Sequence, residues 1–204
     1  MASTDKYLSV FEKFLPQGSA VYCFELWKQH GFEFKIKRSR KTKLGDYRFD
    51  PAKKKHVITV NNDLNPYSFL ITYLHEVAHL LAFQKYGRSI APHGREWKQE
   101  FQAVTSPVLT PEIFPGPVIK AFGHYMKNPK ASSCSDPKLL AALRQFDQQP
   151  GTFLNEIAPG DWFIFQGRIF QHLEKKRTRH ICLEKKSNKK FLISGHASVE
   201  RVEA

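Results

Sequence analysis

The stretch Tyr73-Leu74-His75-Glu76-Val77-Ala78-His79-Leu80-Leu81-Ala82-Phe83 decides how the rest of the chain is read. On an α-helix, residues four apart lie one turn above each other, so His75 and His79 project from one face toward a common point. Zinc accepts imidazole nitrogen there, and a catalytic zinc takes three protein ligands and keeps one position for water. Glu76 sits beside the first histidine, where its carboxylate reaches the zinc-bound water rather than the metal, which makes His-Glu-x-x-His a general-base motif. Two histidines leave one ligand to find. Phe69, Leu70, Leu74, Val77, Leu80 and Leu81 make the helix apolar on most sides, so the site has dry walls.

The third ligand has to come from another segment, and His93 in Ala91-Pro92-His93-Gly94-Arg95-Glu96-Trp97 is the best placed. Pro92 and Gly94 put it at a break between two apolar-periodic segments, near the entrance of the next helix. The competing reading is a pair of core histidines satisfied by ordinary hydrogen bonds. Burying two histidines and a glutamate without a partner is costly, and one zinc ion is the simplest partner.

Across these residues the chain resembles the SprT-like metalloproteases, the group that includes Spartan. The resemblance lies in HEVAHLLAF and in APHGREWKQEF, with its His-Gly and an aromatic residue three positions on. KIKRSRKTKLGDYRFD followed by HVITVNNDL is similar to that family's β-strands. The resemblance spans roughly residues 5 to 105. It implies an α+β fold with a zincin-like core, built of helices, a small mixed sheet and the His-Glu-x-x-His helix. It also implies a zinc peptidase acting on proteins at DNA, including proteins crosslinked to it.

The composition is compatible with that class. Of 204 residues 41% are hydrophobic, with 17 Phe, enough for a globular core and too apolar for a disordered chain. The 32 basic against 19 acidic residues give a net charge of +13, which calls for an anionic partner. DNA is the expected one; a membrane surface or an acidic protein would answer the same charge. No stretch is long and apolar enough for a membrane helix, and the amphipathic MASTDKYLSVFEKFL is no targeting signal. Cys23, Cys134 and Cys182 form no disulfide pattern, so a reducing, cytoplasmic compartment is expected. Nothing in the sequence sets the oligomeric state.

Going outward along the chain, two helices are predicted over Lys6 to Leu15 and from Ser19 to His30, the second closed by Gly31. Phe32, Phe34 and Ile36 then alternate with charged residues as in a half-buried strand. Arg38, Arg40, Lys41 and Lys43 lead to a strand from Gly45 to Phe49, and Lys53, Lys54 and Lys55 to another from His56 to Val60. These two basic connections are the nucleic-acid-binding candidates of the first domain. The strand Val57 to Val60, or its neighbour, would pair with an extended substrate by main-chain hydrogen bonds. Asn61, Asn62, Asp63 and Asn65-Pro66 supply turn and cap chemistry. Trp97 and Phe101, four apart, are expected to pack inward together.

The proline-rich residues 105 to 130 give no clear element, and His124 and Tyr125 there are candidate oxyanion donors. A linker, KNPKASSCSDP, precedes a short helix from Lys138 to Phe146. The expected division is a catalytic core over residues 1–130 and a second module over 131–204. Short alternating runs after residue 160 suggest a four- or five-stranded sheet or barrel, with Lys175, Lys176, Arg177 and Arg179 as further nucleic-acid candidates. The SprT-like pattern of a C-terminal zinc ribbon with paired cysteines is missing. Cys134 and Cys182, with His172, His180 and His196, lack the spacing of such a ribbon, although an irregular second zinc site can be drawn from them.

The expected mechanism follows. One zinc ion on His75, His79 and His93 polarises a peptide carbonyl, and Glu76 takes a proton from the attacking water and passes it to the leaving amine. Two rival classes stay open: a DNA-binding or adaptor protein with a non-catalytic zinc site, and a general intracellular metallopeptidase without a DNA role. The intact Glu76 argues against the first.

Overall fold

The computed structural model describes residues 2–40, 42–130, 136–148 and 151–202, with only the backbone of residues 2–5. The chain is α+β and folds as two compact units, Met1–Gln148 and Gln149–Ala204.

In the first unit, α1 (Ala2–Phe14) and α2 (Ala20–His30) pack together, and Gly31 ends α2 at φ 58°, a left-handed turn that costs glycine little. Three strands follow: β1 (Glu33–Lys37), β2 (Gly45–Asp50) and β3 (Lys55–Asn61). Their order is β1-β3-β2, with β1 parallel and β2 antiparallel to β3. Val57 to Val60 therefore lie in a strand paired on both sides, and the substrate edge expected there passes to the neighbour β2, whose outer edge pairs with no strand among the described residues.

The long helix α3 (Pro66–Tyr86) packs across β2 and β3. Asn65 caps it by accepting from the Ser68 amide at 2.9 Å, and Pro66 opens it where no amide hydrogen is needed. Phe69, Leu70, Ile71, Tyr73, Leu74 and Val77 are wholly buried, and each such side chain contributes roughly 1.5–3 kcal/mol of burial free energy. Helix α4 (Arg95–Thr105) lies against α3, and Trp97 and Phe101 stack at 5.0 Å with neither exposed.

The proline-rich stretch contains α5 (Gly116–Met126), missed in the sequence because Pro115 and Pro117 read as breakers. Pro117 stands in the first turn, where a missing amide hydrogen costs nothing, and Val118, Phe122 and Met126 form the buried face. Helix α6 (Pro137–Arg144) packs on α5 and adds Leu139, Ala142 and Leu143 to the first unit's core. The division thus falls after Gln148 rather than at 130.

The second unit is a six-stranded antiparallel sheet, one strand more than expected. Its strands are β4 (Thr152–Phe153), β5 (Trp162–Phe165), β6 (Arg168–Lys175), β7 (Arg179–Glu184), β8 (Lys190–Ser194) and β9 (Ser198–Arg201), in the order β4-β9-β5-β6-β7-β8. Two-residue β4 is too short to leave a periodic signal. Phe163, Phe170, Cys182, Ile193 and Val199 fill a small core of its own. Among the described residues, no helix is long and apolar enough to cross a membrane.

Candidate metal centre

His75 and His79 project from α3, and His93 reaches them from the loop before α4. His93 has φ 59°, a left-handed conformation uncommon for a non-glycine residue. The turn brings its ring onto the helical pair. The three Nε2 atoms lie 3.3 Å (His79 to His75), 2.9 Å (His79 to His93) and 3.2 Å (His93 to His75) apart. A neutral imidazole carries one ring proton, so three nitrogens turned on one point cannot satisfy one another. Nitrogens at about 2.0–2.1 Å from a tetrahedral ion sit roughly 3.3 Å apart, so one cation fits where the lone pairs meet.

The electrostatics favour that use. Burial pulls the His75 imidazole down to about 3, helped by His79 and His93, and pulls His79 down to about 4, helped by His93. His93 is lowered as well, again by burial. All three are neutral at physiological pH, the form that binds metal. Trp97 braces the group, its ring 4.7 Å from those of His75 and His93 and 5.3 Å from that of His79. Among the described residues, His75, His79 and His93 are the only group whose ligand atoms converge closely enough to hold a metal ion.

Glu76 is 7% exposed. Burial first, and then the Asp46 carboxylate, push its carboxyl up to about 8, while the Tyr47 amide, Arg40 and Lys43 act against that rise. A divalent cation on the neighbouring histidines would add to the lowering side. The backbone of β2 passes so close that a Cβ on Gly45 would lie 2.6 Å from both Glu76 Oε1 and Thr72 Cγ2. Gly45 is what lets the strand approach and the Tyr47 amide reach the carboxylate. Sequence reading noted Gly45 as a strand start and missed this contact, since nothing local in the chain marks it.

The nucleic-acid candidates divide by what already holds them. Arg40 is half-buried and donates from Nε to Asn61 Oδ1 at 2.7 Å, with Nη2 buried and unpartnered. Lys43 pairs with Asp46 at 2.8 Å, and Lys176 pairs with Glu174. Arg38, Lys53, Lys54, Lys55, Lys175, Arg177 and Arg179 are exposed and in no ion pair among the described residues, and Lys41 lies outside them.

Two expectations are corrected. Tyr125 is no oxyanion donor: its hydroxyl donates to the Lys130 carbonyl at 2.7 Å and accepts from the Lys130 amide at 3.1 Å. His124 borders a different cavity, with Lys120 and Lys127. The irregular second zinc site does not assemble either. His172 and His180 spend facing nitrogens on each other at 2.8 Å, Cys182 Sγ donates to the His180 carbonyl, and His196 packs on Phe153. Cys134 lies outside the described residues.

An α+β unit with three histidines converging on one helix and a glutamate beside the first defines a metal-site class of protein. The SprT-like family matches residues 8–114, just over half of the chain, and the chain belongs to that family. It is also similar to Protein SprT of Vibrio parahaemolyticus serotype O3:K6 (strain RIMD 2210633), at 49% identity over 41 residues. That stretch is 20% of this chain and 24% of the Vibrio protein, so the match spans about a quarter of its relative. No solved structure matches.

Proposed function

We propose that the chain is a zinc-dependent metalloendopeptidase with a zincin-like core, acting inside the cell on proteins associated with or crosslinked to DNA. The observation that carries this is the convergence of three neutral imidazoles beside a buried glutamate that main chain holds in place. An all-imidazole set with three protein ligands suits zinc in its catalytic form. When bound, zinc supplies Lewis-acid chemistry, polarising a peptide carbonyl and making water acidic enough to react near neutrality.

The chain's own residues do the rest. Glu76 takes the proton of the attacking water and returns it to the departing amine, held in reach by the Tyr47 amide. The unpaired edge of β2 binds the substrate main chain as an added strand, which favours extended segments. The DNA part rests on the net charge of +13 and on the unpaired cations of the turn at Lys53, Lys54 and Lys55.

The test is cleavage of a DNA-bound basic protein by the zinc-loaded chain, with and without DNA, beside Glu76→Gln. Cleavage that needs both Glu76 and DNA is expected. Unchanged cleavage by Glu76→Gln would falsify the general-base assignment. Glu76-dependent cleavage indifferent to DNA would leave a general metallopeptidase, and zinc binding without any hydrolysis a binding protein.

A further inference from the structure

Beside the metal group lies a cavity of about 260 Å³, against the roughly 30 Å³ a water molecule occupies, so it has room for a side chain. Two metal-site histidines, His79 and His93, form part of its wall, and Tyr47, Phe83 and Trp97 give it aromatic sides. The remaining polar feature is Arg88. Gly87, at φ 80°, ends α3 and turns the chain so that Arg88 falls back over the strand side of the helix. Its guanidinium carbon sits 4.9 Å from the Phe49 ring and 5.7 Å from the Phe83 ring.

Arg88 is unusual among the cations of this unit in being both positioned and unspent. Its guanidinium lies over two aromatic rings, and no carboxylate pairs with it among the described residues. A guanidinium stacked on rings keeps its edge donors open, and that planar fork matches a carboxylate with two parallel hydrogen bonds. Fixing the side chain beforehand reduces the entropy lost on binding.

From this we infer that Arg88 is a specificity-determining residue: the cavity receives a substrate group next to the scissile bond, and Arg88 binds the carboxylate that group carries. The inference rests on the peptidase reading above for its position relative to the cleaved bond. A carboxylate reaches the cavity either as an internal Asp or Glu side chain or as the free end of a peptide chain. The same cation disfavours lysine and arginine at that position, and the net charge of +13 works in the same direction at longer range.

The test uses the zinc-loaded chain carrying Glu76→Gln, so that peptides bind without turnover, and reads binding by fluorescence anisotropy. Terminus-blocked peptides differing only in one central Glu, Gln or Lys are compared with an uncharged peptide bearing a free C-terminal carboxylate. The Glu peptide or the free-ended peptide should bind about tenfold or more tightly than the Gln peptide, and whichever of the two binds better identifies the source. Adding Arg88→Met should erase the preference while apolar peptides still bind, and adding Arg88→Glu should turn it toward the Lys peptide. Arg88 is exposed, and unchanged zinc content in each variant confirms an intact fold. Equal affinity for the Glu, Gln and Lys peptides, together with no gain for the free end, overturns the inference, as does a preference that survives Arg88→Met. Parallel hydrolysis by the unsubstituted chain separates the two readings. Arg88-dependent binding with no hydrolysis sinks the peptidase and leaves the carboxylate site, whereas hydrolysis equally fast beside Glu and Lys does the reverse.

Discussion

Gly45 carries as much of the site as the histidines do, though it binds nothing. A methyl group there would lie 2.6 Å from the Glu76 carboxylate and from Thr72, distances no packed structure keeps. Either β2 retreats, taking the Tyr47 amide with it, or Glu76 turns away from the metal group. Gly45→Ala should therefore retain zinc, since His75, His79 and His93 are untouched, while turnover falls about a hundredfold, the scale of a misplacement near 1 Å. Zinc content by atomic absorption beside peptide kinetics checks this; wild-type turnover in the variant would mean that Glu76 does not need its present pose. At this scale the sequence was legible where spacing alone determines geometry. His75 and His79 are four apart on a helix, and no fold needs to be known to bring them together. His93, at a Pro-Gly break, could be nominated but not placed, because nothing in the local sequence specifies the left-handed turn it adopts. The close approach of Gly45 to Glu76 joins residues from two elements and leaves no local trace.

Among the elements, those with strong periodicity were readable and those that depend on partners were not. Helix α3 and strands β1 to β3 follow their apolar patterns, whereas α5 was hidden by prolines that stand where a helix tolerates them. The pairing of β6 with β7 holds another device that sequence could not supply. His172 Nδ1 faces the Ile157 carbonyl at 2.8 Å, His172 Nε2 faces His180 Nδ1 at 2.8 Å, and His180 Nε2 faces Asn155 Oδ1 at 2.8 Å. Two neutral imidazoles bring two ring protons to three contacts that end on oxygens, so the neutral chain is complete once the Asn155 amide turns over to put its NH2 group where Oδ1 stands. Both histidines are then Nδ1–H tautomers. Burial, followed by His172 and Lys175, lowers the His180 pKa, so the unfolded chain takes up a proton there more readily than the folded one. The stabilisation is full above the ordinary histidine value of about 6.5 and is lost as pH falls through the depressed folded value. Amide protection factors in β6 and β7, taken relative to the intrinsic exchange rate at each pH, should accordingly fall from pH 7.5 to pH 5, and far less in His180→Phe. Matching pH dependence in both proteins would show that the pair is not a stability device.

Taken as a whole, the molecule is a positive chain whose cations are unevenly committed, and this sets what its salt dependence should be. Each phosphate neutralised on duplex DNA adds about 0.9 to the slope of log affinity against log salt, so the slope reports how many phosphates are engaged whatever the DNA sequence. Lys53 and Lys54, with Lys55 opening β3, are exposed where β2 turns into β3 in the first unit, and Lys185, Lys186 and Lys189, with Lys190 opening β8, are exposed where β7 turns into β8 in the second. None of these lysines is in a close ion pair among the described residues, so both groups can exchange counterions for phosphate. Arg40 is bound to Asn61 and has nothing equivalent to offer. Replacing the first three lysines by Ser should flatten the slope by about 0.9 for each phosphate the chain then leaves unneutralised, and the same should hold for the second group. Arg40→Ser should leave the slope as it is and lower stability instead, because it strips Asn61 of a buried partner. Salt titrations of duplex binding by anisotropy, one per variant, distinguish these cases. A slope near zero in the unsubstituted chain would remove DNA as the partner of the net charge. A slope carried by the second group alone would assign DNA capture to the β module and leave the first unit free for protein.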